Sequence, residues 1–176
     1  PPVDWHGGAF GGLGDHRVLV RDAVRSVLRG RRASSVLGVR GAHLVRALAE
    51  WAAIDGAPTC PAAQRYSGVV WGGLDLASLP ASARRRGRSR IVVPSGLWGL
   101  VGADDAIPAY RLKMGARVGR LGVLATWWRD AVSQALARHA GRAQVIDLLP
   151  QEHRRAIRSE EHTSELQSRL HLVCRL

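Results

Sequence analysis

The apolar residues of this 176-residue chain follow two different spacings. In some stretches they recur every three or four positions, as on the buried face of a helix, and Leu121–His139 is the clearest example. In others they form short runs bounded by glycine, proline or polar residues, as in Ile91–Val93 and Val145–Leu149, which is typical of buried strands. Helical stretches that alternate with short apolar runs predict a mixed α/β (α+β) domain, with a central mixed sheet flanked by helices.

The remaining elements are predicted from the same two spacings and from the residues that begin and end helices. Further helices are expected at Asp15–Arg29, Ala42–Ile54 and Pro80–Ser89. Tyr66–Trp71 is interpreted as a short β-like run. Ser95–Gly115 is interpreted as a loop because it contains glycines, a proline and an Asp-Asp pair.

Composition narrows the class of protein. A hydrophobic content of 46% fits a globular core. No apolar run approaches the roughly 18 residues of a membrane span. The cysteines, Cys60 and Cys174, are too few for a disulfide framework or a four-cysteine zinc site, so we expect a cytoplasmic protein without membrane contact. The histidines show no metal-ligand spacing, and we assign no metal site, no cofactor and no catalytic residue.

The charge balance points to an anionic partner. The chain has 26 Lys+Arg against 14 Asp+Glu, a formal charge of +12, and Lys113 is its one lysine. An excess of this size favours nucleic acid as the partner. A solvated basic surface without a partner is the alternative.

Five arginines lie within seven residues, at Arg84, Arg85, Arg86, Arg88 and Arg90. This density predicts contacts to the phosphates of DNA. No phenylalanine or tyrosine is interleaved, so stacking of single-stranded bases is not expected here. The alternative is a solvated helix or loop face.

A second phosphate-binding element is predicted between the first two long helices. The stretch Val36–Ala42 has the glycines of a helix-hairpin-helix turn, which let backbone N–H groups approach a phosphate at a helix N-terminus. An ordinary turn between two helices is the alternative. The residues assigned to DNA here are Arg31, Arg32, Gly38, Arg40 and Gly41.

Several motifs occur in one order along the chain. They are Arg65-Tyr-Ser-Gly-Val-Val-Trp71, Ser95-Gly-Leu-Trp-Gly-Leu-Val101, Ile107-Pro-Ala-Tyr-Arg-Leu-Lys-Met-Gly115, Trp127-Trp-Arg-Asp130 and Val145-Ile-Asp-Leu148. This set resembles the peroxide stress protein YaaA family. The resemblance covers residues 1–157 and implies an internal fragment of the family's domain, without its first strand and its C-terminal part.

The resemblance also implies a function. Members are expected to be non-enzymatic proteins of the peroxide stress response that are associated with lowering free intracellular iron. They are expected to bind double-stranded or branched DNA through a helix-hairpin-helix-like element. A monomer is expected, although the sequence leaves the oligomeric state open.

The signature loop is a candidate anion pocket. Its residues are Ser95, Gly96, Tyr110, Arg111 and Lys113, and a lysine is informative in a chain that otherwise uses arginine. We predict that the side chains of Ser95, Tyr110, Arg111 and Lys113 converge on one concave surface, because loops at strand ends form sites. Two alternative functions stay open: an enzyme that uses this loop on an anionic small molecule or nucleotide, and a basic module that binds RNA or an acidic protein.

The last residues of the chain differ from the rest. Arg158–Leu176 resembles the translation of a short-read sequencing adapter. It is therefore expected to be a non-native tail that does not pack into the domain.

Overall fold

The computed structural model describes residues 2–67, 69–75 and 78–157. The predicted tail lies outside these residues. Eight α-helices occur in the described part of the chain, together with 3-10 turns at Gly11–Leu13 and Gly119–Leu121. The α-helices are α1 Gly14–Leu28, α2 Ala33–Leu37, α3 Gly41–Ala52, α4 Ala62–Arg65, α5 Val69–Leu74, α6 Ala81–Arg90, α7 Leu124–Ala140 and α8 Gln151–Arg154.

Six short strands accompany these helices, so the mixed α/β class is confirmed. The described strands pair two by two, all antiparallel, where the sequence predicted one central mixed sheet. The pairs are β1 Thr59–Pro61 with β4 Ala106–Pro108, β2 Val92–Ser95 with β3 Gly99–Gly102, and β5 Arg117–Val118 with β6 Gly122–Val123.

The core forms where α1 and α7 pack with the β2–β3 hairpin. Val20 and Val24 of α1 and Trp128 of α7 are fully buried, at helical spacing on the inner face of each helix. Trp98, from the hairpin loop, is also buried and stacks on Trp5 with ring centroids 4.8 Å apart. Burial of these indole and aliphatic side chains is the main source of stability.

One arginine is part of this core. Arg17 of α1 is only 1% exposed, and its guanidinium group donates hydrogen bonds to five backbone carbonyls. Desolvation by burial lowers the pKa of Arg17 to about 10, and the carboxylates of Asp105 and Asp4 partly oppose that shift. The carbonyls belong to Trp5, Gly7, Phe10, Trp98 and Leu100, so Arg17 fastens the N-terminal segment to the hairpin.

The structure corrects three sequence-based assignments. The β-like run at Tyr66–Trp71 is wrong, because helix α5 begins at Val69, and short apolar runs do not distinguish a strand from a helix. The loop predicted at Ser95–Gly115 contains strands β3 and β4. The buried strand at Val145–Leu149 is also wrong: Val145, Ile146 and Leu148 are each more than half exposed, and no strand in the described residues pairs with this segment.

Candidate functional site

The first three motifs of the family resemblance, which we call the signature stretches, meet at the hydroxyl of Tyr110: they are Arg65–Trp71, Ser95–Val101 and Ile107–Gly115. This hydroxyl lies 2.6 Å from Ser95 Oγ and 2.7 Å from the hydroxyl of Tyr66. Ser95 comes from the end of β2, Tyr110 follows β4, and Tyr66 follows α4. A hydrogen-bonded chain of three hydroxyl groups therefore joins segments that are far apart in sequence.

The direction of the hydrogen bond between Ser95 and Tyr110 follows from the acceptor capacity of Ser95. Its Oγ accepts the backbone N–H groups of Leu97 at 3.2 Å and Trp98 at 3.0 Å, which occupy both oxygen lone pairs. Ser95 must therefore donate its proton to the Tyr110 hydroxyl, and the two phenols share a further hydrogen bond in which either can be the donor. Ser95 is 3% exposed, so its hydroxyl locks the hairpin loop and does not face solvent.

Both tyrosines are held in the protonated form. Burial raises the pKa of Tyr66 and raises the pKa of Tyr110 well above its usual value. The hydrogen bond between the phenols lowers the pKa of Tyr66 and raises that of Tyr110. At neutral pH the two phenols are hydrogen-bond donors and not bases.

Gly96 lets two signature stretches touch through their backbones. A Cβ on Gly96 would lie 2.9 Å from the carbonyl oxygen of Lys113 and 3.0 Å from that of Leu112. The Gly96 carbonyl also accepts a 2.9 Å hydrogen bond from Nε1 of Trp128. Any side chain at this position would push the Arg111–Gly115 segment away from the hairpin.

The segment after Tyr110 alternates between buried and exposed residues. Leu112 and Met114 are buried in the core, while Arg111 and Lys113 are exposed. In an extended backbone this alternation places Arg111 and Lys113 on the same side. The core residues thus fix the direction in which the two cations project.

Both of these cations lie against the turn between α2 and α3. Nε of Arg111 donates a 3.2 Å hydrogen bond to the carbonyl of Leu37, the last residue of α2. A Cβ on Gly38 would lie 3.3 Å from Cε and 3.5 Å from Nζ of Lys113, so the ammonium group lies beside this glycine. Gly38 has φ +63°, the left-handed conformation that ends helices and favours glycine.

Helix α3 begins directly after this turn. Arg40 precedes its first residue, Gly41, and in the described residues no side chain caps the N-terminus and no acidic residue lies in the first turn. The N–H groups of the first turn are therefore open to an anion. Arg31, Arg32 and Arg40 are all exposed around the same turn.

The arginine cluster forms a helix, as expected, and α6 packs against β3. Arg85, Arg86 and Arg90 are exposed, while Arg84 and Arg88 are half-buried. Arg88 forms an ion pair with Asp104, which reduces its availability to a ligand. The cluster thus presents its charge on the solvent face of one short helix.

The structure brings some of the predicted pocket residues together and separates others. Ser95 and Tyr110 are in contact, and Arg111 and Lys113 share the α2–α3 turn. Ser95 lies beneath the surface, whereas Lys113 is exposed. The assignment of these residues to an anion site stays a prediction.

Sequence reasoning did not select several residues that line a groove beside this turn. Arg65 lies one position before Tyr66 in the first signature stretch. His43, Arg46 and Glu50 are spaced three and four apart on α3 and line the groove together with Arg65 and Arg111. The spacing of His43, Arg46 and Glu50 places them on one face of α3, and this could have been read from the sequence. It did not indicate that Arg65 and the segment 109–111 would lie opposite that face.

Two further findings concern the described residues only. They include no group of three His, Cys, Asp or Glu side chains placed to hold a metal ion. None of their helices is long and apolar enough to cross a membrane.

Comparison with known proteins agrees with the signature motifs. Residues 19–171 match the family model described as peroxide stress protein YaaA. The chain belongs to this family. The resemblance drawn from the motifs is therefore confirmed, and the match extends beyond Ile157 into the predicted tail, whose origin stays a prediction.

Individual relatives support the same family. A UPF0246 protein of Corynebacterium glutamicum is 34% identical over 140 residues, which cover 77% of this chain and 54% of the relative. A UPF0246 protein of Streptomyces coelicolor is 46% identical over 88 residues, which cover 50% of this chain and 34% of the relative. The chain thus spans about half the length of these relatives or less.

Proposed function

We propose that this YaaA-family protein binds double-stranded or branched DNA through its phosphate backbone as part of the peroxide stress response. The family match supports the stress role. The basic turn between α2 and α3 and the arginines of α6 support the choice of DNA as the ligand.

One observation carries the proposal more than any other: Nζ of Lys113 lies beside Gly38. A glycine turn followed by an uncapped helix N-terminus offers backbone N–H groups to a phosphate. Lys113 adds a compact positive charge at that position, where a planar guanidinium group would need more room. The signature loop and the predicted hairpin therefore form one cationic element, the Lys113–Gly38 turn.

This element is suited to phosphates and not to base edges. The described residues offer short loops and a short arginine-rich helix, without a long exposed helix patterned to enter the major groove. Binding is therefore expected to depend strongly on salt and weakly on sequence.

The experiment is a salt titration of affinity for two duplexes of unrelated sequence, a four-way junction and an RNA duplex. We expect similar affinity for both DNA duplexes, with a log affinity that falls linearly with log salt. Affinity that does not change with salt, that is confined to one sequence, or that favours the RNA would contradict the proposal.

We also propose that the protein lowers free intracellular iron during peroxide stress, on the strength of family membership alone. The measurement is chelatable iron in peroxide-treated cells with and without the gene. Equal iron in the two strains would contradict this part of the proposal.

A further inference from the structure

A groove of about 320 Å³ opens between α3 and the segment 109–111. Arg46, Arg65 and Arg111 contribute three guanidinium groups to its lining. Among the described residues that line it, Glu50 is the one with a carboxylate. The surplus of positive charge favours an anionic occupant.

Arg65 has hydrogen-bonding capacity that the described residues do not use. Its Nε is buried and has no partner among them, and its Nη2 lies 3.5 Å from the carbonyl of Ile107, at the outer limit of a hydrogen bond. A buried N–H group without a partner is unfavourable. Because Nε is shielded from solvent, an oxyanion in the groove would reach it only if the Arg65 side chain turns toward the groove, where the guanidinium fork matches two oxygens of the oxyanion.

Helix α3 supplies the facing wall of the groove. His43, Arg46 and Glu50 share one face of this helix. Arg46 and Glu50 are 3.7 Å apart and the Arg46 side chain is 75% exposed, so this ion pair is weak and Arg46 can turn to a ligand. Val39 and Ala109 add apolar surface, which leaves room for a group larger than a bare anion.

We infer that this groove binds a phosphate group, carried by a small molecule or by the end of a nucleic-acid strand, with Arg65 as its anchor. Three guanidinium groups suit a doubly charged group better than a single carboxylate. The groove shares Arg111 with the Lys113–Gly38 turn, but the inference does not rest on backbone binding at that turn.

The test is isothermal titration calorimetry of the full chain with inorganic phosphate and with pyrophosphate at constant ionic strength. Arg65→Met should weaken binding about tenfold or more, because it removes charged hydrogen bonds. Arg46→Gln should weaken it by a smaller factor. Glu50→Gln should tighten it by roughly threefold, because it removes a repelling carboxylate. Arg138→Gln, at an exposed position on α7, makes the same charge change as Arg46→Gln and should have no effect.

The Glu50 variant keeps the test decisive if Arg65→Met fails to fold, since damage to the fold does not tighten binding. A duplex with 5′-phosphate ends and one with 5′-hydroxyl ends then distinguish the two sources. Competition by the phosphorylated duplex alone identifies a strand end, and competition by neither identifies a small molecule. Binding that is absent for every probe, or equal in all four variants, would overturn the inference.

This result is separable from the proposed DNA binding. Replacing Arg84, Arg85 and Arg86 with alanine should leave the phosphate affinity unchanged. Arg65→Met should leave the salt dependence of duplex binding unchanged. Loss of either activity alone therefore identifies which of the two proposals has failed.

Discussion

The two tyrosines of the whole chain are Tyr66 and Tyr110, and they form one hydrogen-bonded pair. Tyrosine ionisation can therefore be assigned to this site without labelling. Because burial raises the pKa of both phenols, the folded protein should keep them protonated at a pH where free tyrosine is half ionised.

The measurement is absorbance at 295 nm against pH. We expect the rise in the folded protein to be displaced to a higher pH than that of free tyrosine, with Tyr110 ionising after Tyr66. Above the unfolded pKa of about 10, the unfolded chain loses protons that the folded chain keeps, so stability falls as pH rises, by about 1.4 kcal/mol per pH unit for each phenol. Tyr66→Phe should make the fall in stability with pH less steep, because it removes one of the two phenols. Titration of both phenols near pH 10 with the fold intact would contradict the burial of these two hydroxyl groups.

Gly96 is the residue at which the two long signature stretches touch. Gly96→Ala should lower the free energy of unfolding by about 2 kcal/mol or more, because the new Cβ meets backbone carbonyls that no rotamer change can move. Gly12→Ala is the matched control: a Cβ there meets no described atom within 4 Å and should change stability by less than about 0.5 kcal/mol. Urea unfolding of both variants measures the difference. Equal effects would show that the signature glycine is not required by packing.

Among the elements, α6 has the densest run of arginines, and the proposed DNA binding predicts that their charges act together on the phosphates. Each arginine that neutralises a phosphate should add about 0.9 to the slope of log affinity against log salt. Replacing Arg84, Arg85 and Arg86 with alanine should therefore lower the slope by roughly two to three, equally for unrelated duplexes. A slope that does not change would show that the cluster is a solvated face. A loss confined to one sequence would indicate base contacts instead.

The sequence predicted the long helices well because their apolar spacing is local information. Helix α7 and the basic helix α6 begin and end within a few residues of their predicted bounds. Short apolar runs were less reliable, because a strand exists only when another strand pairs with it. Val145–Leu149 has the composition of a buried strand and yet is exposed, and Tyr66–Trp71 leads into a helix.

The candidate site was predictable in part. The glycines and the lone lysine pointed to Gly38 and Lys113 separately, but nothing in the sequence indicated that the Lys113 side chain lies beside Gly38. The sequence also did not indicate that Arg17 is buried among five carbonyls. Arginine is almost never fully buried unless it is paired, so an isolated arginine is expected at the surface. Contacts between distant segments depend on the whole fold, which local patterns do not encode.

In the whole molecule, hydrogen bonds in and around the core hold distant segments together, and the cations of Arg111 and Lys113 lie outside the core. Arg17 joins the N-terminal segment to the β2–β3 hairpin, and the Ser95–Tyr110–Tyr66 chain joins that hairpin to the segments after α4 and β4. Trp51 of α3 donates a hydrogen bond to the carbonyl of Arg111 at 3.1 Å. The signature residues thus position Arg111 and Lys113 on the α2–α3 turn.

The salt dependence of duplex binding in a Lys113→Gln variant shows whether this lysine contacts a phosphate, with Arg138→Gln as a control of equal charge. If Lys113 neutralises a phosphate at the Gly38 turn, its loss should lower the slope of log affinity against log salt by about 0.9, while the control leaves it unchanged. The decrease should be the same for duplexes of unrelated sequence. A Lys113→Gln slope equal to that of the unmodified protein would show that Lys113 does not neutralise a phosphate at the Gly38 turn.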